Sequence, residues 1–209
     1  MNVSFDFYEY AGIIVPGAVL AFGAMWLSPE LKAQLGPEGF TFGELGLFVV
    51  LSYALGQLVQ AVGTGLAKLF WWPLGGLPSK RILDGEALTE QQHARLTARL
   101  RELEIASEAA SKEEAFAAVR EMYARVAASG NAKRVDKFNG IYGMMRGLAA
   151  SLIMLAVAYG YVRGGEMSGV MIMLAMAAVA IRRMHGFGWH YGRELAVVFL
   201  ATQTNADKA

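Results

Sequence analysis

Residues 45–67 read LGLFVVLSYALGQLVQAVGTGLA, 23 consecutive residues without a charge, followed at once by Lys68 and then Phe70, Trp71 and Trp72. Wound as a helix, the run is about 35 Å long at 1.5 Å per residue, against a bilayer hydrocarbon core of about 30 Å. It reads as a membrane-spanning helix. Lys68, Trp71 and Trp72 read as its interfacial anchor, since aromatic rings collect at headgroup depth and a lysine there can extend its ammonium to water.

Three further uncharged runs occur at 10–27, 147–162 and 167–181. The first has acidic flanks, Asp6 and Glu9, and ends in Met25-Trp26-Leu27. A signal peptide wants basic residues before such a run and small ones after it, so this run is expected to stay as a span. Pro16-Gly17 should bend it, because proline lacks the backbone donor and crowds the preceding turn. The last two runs are short for a crossing. They become long enough as 142–162 and 167–183 if Arg146, Arg182 and Arg183 reach back to the headgroups. Arg163-Gly164-Gly165-Glu166 between them is a turn sequence, and a helical hairpin follows.

Composition agrees with this reading. The chain has 209 residues, 55% hydrophobic and 18% charged, where a soluble domain has roughly 45–50% and 25%. With no cysteine, a disulfide framework and thiolate metal sites are excluded. The formal net charge of +1 conceals segregation, because 23 of the 37 charged residues lie between Lys68 and Arg146. The expected fold is therefore all-α: a polytopic membrane protein with four transmembrane helices and a charged helical insert. Its parts are an N-terminal membrane region (1–71), the insert (72–138), a membrane hairpin (139–184) and an interfacial segment with a disordered tail (185–209).

Basic residues near the spans set the orientation. The first connection holds only Lys32 and the hairpin turn only Arg163, whereas Lys80, Arg81, Lys133, Arg134, Lys137, Arg182, Arg183 and Arg193 lie on the opposite set. Both termini and the insert are accordingly expected in the cytoplasm. Within the insert, Thr89-Glu90-Gln91-Gln92 and Ser111-Lys112-Glu113-Glu114 match the capping-box pattern. They start amphipathic helices over about 90–105 and 112–128, with Leu96, Leu100 and Leu103 on one apolar stripe and Phe116, Val119, Tyr123 and Val126 on the other. No proline follows Ala132, so one helix can run from the insert through the third span.

Four constellations carry the functional reading. Tyr53, Gln57, Gln60 and Thr64, continuing to Lys68, fall on one face of the second span; amides at that depth need partners, so the stripe bonds neighbouring helices or lines a polar path. Gly143, Gly147 and Ser151 form a small-residue track for close helix packing. Arg146, inside that track, is expected to reach lipid phosphate or to pair with Glu9 or Asp6. His185-Gly-Phe-Gly-Trp-His190 after Arg182-Arg183 reads as an interfacial segment with Trp189 at the boundary; the apolar run 195–201 beyond it is expected to pack, and the polar tail 202–209 to be disordered. The two histidines are five apart and lack a third ligand, so no metal site is expected. Methionines of the fourth span are read as packing. There is no P-loop, GxSxG or HExxH, and the 13 basic residues of the central block are interleaved with 10 acidic ones, which argues against catalysis and nucleic-acid binding. No catalytic residue or cofactor is assigned.

A Pro-Gly-broken first helix, a glutamine-bearing second, a charged helical insert and a final hairpin with a basic aromatic tail resemble, in layout, small four-helix proteins of the bacterial inner membrane. The resemblance implies a multi-pass location and carries no functional residues. The function expected is a non-enzymatic homo-oligomer whose cytoplasmic helices bind a partner or signal and couple it to the spans, as a channel-like or membrane-perturbing effector of stress or phage defence. An anchor recruiting a soluble partner is the alternative, and a small-solute transporter fits less well because no inverted repeat or intramembrane carboxylate is visible.

Overall fold

The structure is a computed structural model that describes residues 7–28, 30, 41–105, 112–164 and 166–206. The described residues contain helices and no strand: α1 (Phe7–Leu27), α2 (Phe42–Trp71), a 3₁₀ turn (Trp72–Leu74), α3 (Pro78–Leu83), α4 (Glu90–Glu102), α5 (Lys112–Ala128), α6 (Lys133–Val162) and α7 (Met167–Ala206). Four of these, α1, α2, α6 and α7, are long and apolar enough to cross a membrane. The Ser111 capping box and the carboxylates of Asp6 and Glu9 lie outside the described residues.

The chain divides into two compact units, one of Met1–Leu69 with Gly140–His185 and one of Phe70–Asn139 with Gly186–Ala209. Their interiors follow different rules. In the first unit most buried positions are small: Ala21, Ser52, Val59, Ala149, Ala150, Ser151, Ala177 and Ala180 are all under 9% exposed, with Leu152, Leu155 and Met184 as larger exceptions. Many of its large side chains point outward, with Phe22 55%, Val50 65%, Leu58 66% and Ile172 62% exposed. Small residues let helix backbones approach closely, which is the packing rule where the surroundings are as apolar as the side chains.

The second unit is built the other way. Its core holds Ile82, Leu96, Leu100, Met122, Val126, Val135, Leu195, Phe199 and Leu200, large side chains withdrawn from water, each contributing about 1.5–3 kcal/mol of transfer free energy. The stripe of α4 supplies Leu96 and Leu100, and that of α5 supplies Val126 with Val119 and Tyr123 packed against it; Phe116 of the expected stripe is instead 53% exposed, and Met122 is buried. Thr89 closes α4 with a capping box, its hydroxyl accepting from the Gln92 N–H and the Gln92 side chain accepting from the Thr89 N–H. Helix α4 ends at Glu102, short of the expected 105, where Glu104 turns to φ +55°.

The C-terminal segment departs from the sequence expectation. Rather than an interfacial stretch and a disordered tail, residues 185–206 continue α7 without a break. Leu195, Ala196, Phe199 and Leu200 recur on one helical face, and that face joins the core of the second unit. Gly192 permits it: a Cβ there would stand 2.9 Å from Ile82 Cγ1. As expected, α6 runs unbroken from Lys133 to Val162.

Candidate functional site

The polar centre of the first unit is Gln60. An α-helical carbonyl accepts from the N–H four residues on, and Pro16 has none, so the Gly12 carbonyl of α1 loses its partner. Gln60 Nε2 donates to that Gly12 oxygen at 2.7 Å and to the Gly143 carbonyl oxygen at 3.1 Å. Gln60 Oε1 accepts from Arg146 Nη2 at 2.7 Å and from Arg146 Nε at 3.3 Å. One amide thus ties α1, α2 and α6, with both of its ends used.

Glycines make room for this arrangement. A Cβ at Gly17 would lie 1.8 Å from the Ser52 carbonyl oxygen, and one at Gly56 2.1 Å from the Ile13 carbonyl oxygen, so α1 and α2 meet backbone to backbone. At Gly63 a Cβ would come 3.2 Å from Arg146 Cγ; its absence lets the arginine stem lie against α2. Gly147 faces Pro16 and Gln60, and Ser151 Oγ donates to the Pro16 carbonyl at 2.8 Å. Gly143 contributes its carbonyl, while its Cα faces open space.

The stripe on α2 is thereby divided. Gln60 is half-buried in the network, and Thr64 Oγ1 donates back to the Gln60 carbonyl at 2.8 Å. Tyr53, Gln57 and Lys68 are exposed. Gln57 stands among exposed Leu58, Val50 and Leu51, an uncharged amide on an otherwise apolar surface.

The expected interfacial anchors also divide. Trp72 is 80% exposed, but Trp71 is 1% exposed and packed edge-on against Phe70. Trp189 is half-buried beneath the Arg81 guanidinium, 4.9 Å from the ring centroid, so it serves packing in the second unit rather than a boundary. Arg182 and Arg183 are exposed. The Arg146 guanidinium meets a neutral amide and lies 5.8 Å from the centroid of the Tyr142 ring; the Asp6 and Glu9 carboxylates expected as its partners lie outside the described residues.

Nothing local in the sequence marks Gly12, Gly56 and Gly63 as close-approach positions, and Gly17 is marked only as part of the Pro16-Gly17 bend. The available signal was Pro16, which orphans the carbonyl at position 12 and calls for a donor elsewhere. No group of three or more His, Asp or Glu side chains able to hold a metal occurs among the described residues. Comparison of the chain with family models, with curated proteins and with solved structures finds no match.

Proposed function

We propose that the chain is a multi-pass membrane protein, non-enzymatic and homo-oligomeric, in which the second unit receives a signal or partner and the four apolar helices respond. The observation that carries the membrane reading is the set of four long apolar helices of the first unit, whose interior is mostly small residues and whose exposed face holds many large apolar ones, against a water-type core in the second. Charge asymmetry favours the second unit and both termini on the cytoplasmic side.

Oligomerisation is argued from Gln57. An amide facing hydrocarbon is costly unless it finds a partner, and Gln57 is exposed on α2 beside exposed Tyr53. A second copy, or water enclosed by several copies, meets that need. Gln60 and Thr64 are already committed within one chain, so any polar path runs between copies and is lined by Tyr53 and Gln57. Coupling is argued from α6 and α7, each continuous from one unit into the other.

The test is ion flux through liposomes containing the purified full-length protein. The wild type is expected to pass ions, and Gln57→Leu, at a position already exposed, to abolish flux while retaining fold. A wild type that passes none, while the protein still retains a soluble partner, favours the membrane-anchor reading instead.

A further inference from the structure

The second unit contains a cleft of about 550 Å³ lined by Gln92 of α4, Arg134 and Phe138 of α6, and His190, Arg193 and Glu194 of α7. Its size lies in the range of small-ligand sites, about 300–1,000 Å³. None of these residues belongs to the Gln60 network.

The polar groups are mostly donors. Gln92 Oε1 is held by the Thr89 N–H at 3.1 Å, which leaves the Gln92 amide N–H groups without a partner among the described residues. Arg193 is exposed and has no carboxylate partner among the described residues. Glu194, the one acid of the lining, is half-buried and forms an ion pair with Arg134, Nε to Oε1 3.1 Å; the pair spends one acid on one base. The cleft therefore retains the full charge of Arg193, the remaining Arg134 N–H groups and the His190 ring nitrogens. One wall is flat: the Phe138 and His190 rings stack with centroids 5.5 Å apart and planes 27° apart, and Phe187 meets His190 at 6.1 Å.

We propose that this cleft binds a phosphate ester, the phosphate held by Arg193, Arg134 and the Gln92 amide, and the group that carries it seated on the Phe138–His190 wall. Guanidinium forks match phosphate oxygens bidentately, and an aromatic or arginine plane accepts a stacked base or an apolar moiety. A dissolved nucleotide and a lipid headgroup share this chemistry. The inference names the class of signal for the coupling proposed above and rests on that reading only for its consequence, because binding requires neither bilayer nor oligomer.

The experiment is calorimetric titration of the full-length protein in non-ionic detergent, with AMP in one arm and a short-chain phosphatidylglycerol in the other. Arg193→Ala and Phe138→Leu are compared with Arg125→Ala, a residue of α5 that pairs with Glu121 on the same helix and is not in the cleft lining. At least one probe is expected to bind, with Arg193→Ala weakening it tenfold or more, Arg193→Lys recovering part of the loss and Arg125→Ala changing nothing. Binding of AMP identifies a dissolved ester, and binding of the lipid alone identifies a headgroup. If neither probe binds, or if binding survives Arg193→Ala, the assignment is overturned, whatever liposome flux shows.

Discussion

Gln60 Nε2 stands 2.7 Å from the Gly12 carbonyl oxygen, the one acceptor of α1 that Pro16 leaves without a helical donor. A proline in one helix is thus compensated by an amide in another, and the same amide's oxygen takes the Arg146 guanidinium. Losing Gln60 orphans the Gly12 carbonyl and an arginine together.

Gln60→Leu is therefore expected to lower stability by about 1–3 kcal/mol, the range for leaving buried polar groups unpaired. Pro16→Ala restores an N–H to Gly12, so the double variant should lose less than the sum of the two single losses. Reversible unfolding in mixed micelles, run as a double-mutant cycle, measures the coupling. Strict additivity would show that the Gly12 carbonyl does not depend on Gln60.

Two serines of the first unit give a paired prediction. Both are fully buried, but Ser151 Oγ donates to Pro16 while Ser52 Oγ has no partner among the described residues. Ser151→Ala should cost about 1 kcal/mol, and Ser52→Ala should be neutral or stabilising, since it removes an unsatisfied hydroxyl. Equal losses in the same unfolding assay would contradict the assignment.

Glycine substitutions separate contact from composition. Gly17→Ala and Gly56→Ala drive a methyl into a facing backbone carbonyl, which cannot rotate away. Each should reach or exceed the upper end of the roughly 1–3 kcal/mol typical of overpacking. Gly143→Ala and Gly65→Ala meet open space and should fold normally. Yields of folded protein by size-exclusion chromatography are the readout.

Phe199 is fully buried near the C-terminal end of α7, so Phe199→Ala should cost the second unit about 3–5 kcal/mol. Truncation after residue 185 should unfold it, detected as rapid proteolysis between α3 and α5. A second unit that resists protease after truncation would place its core elsewhere.

These positions also show what the sequence could disclose. The four apolar helices were legible because length and lack of charge are local properties, and the Thr89–Gln92 box because its spacing is fixed by one helical turn. Residues 185–194 were misread because arginines, glycines and aromatic rings in alternation suit a headgroup boundary; only the distant partners Ile82 and Arg81 turn Gly192 and Trp189 into packing residues. Trp71 was misread for the same reason. In the α2 stripe the period was correct, but which members faced a neighbour depended on Pro16, far before Gln60 in the chain, and on Arg146 after it.

The central claim, that copies meet along α2 and that the second unit governs the meeting, is tested most directly by disulfide cross-linking of the Gln57→Cys variant in native membranes. The chain has no cysteine of its own, so any covalent dimer reports position 57 alone. The account predicts efficient cross-linking, and a severalfold change in its rate when Phe199→Ala opens the second unit. A thiol at position 57 that never cross-links, or does so at the same rate with the second unit unfolded, would contradict it.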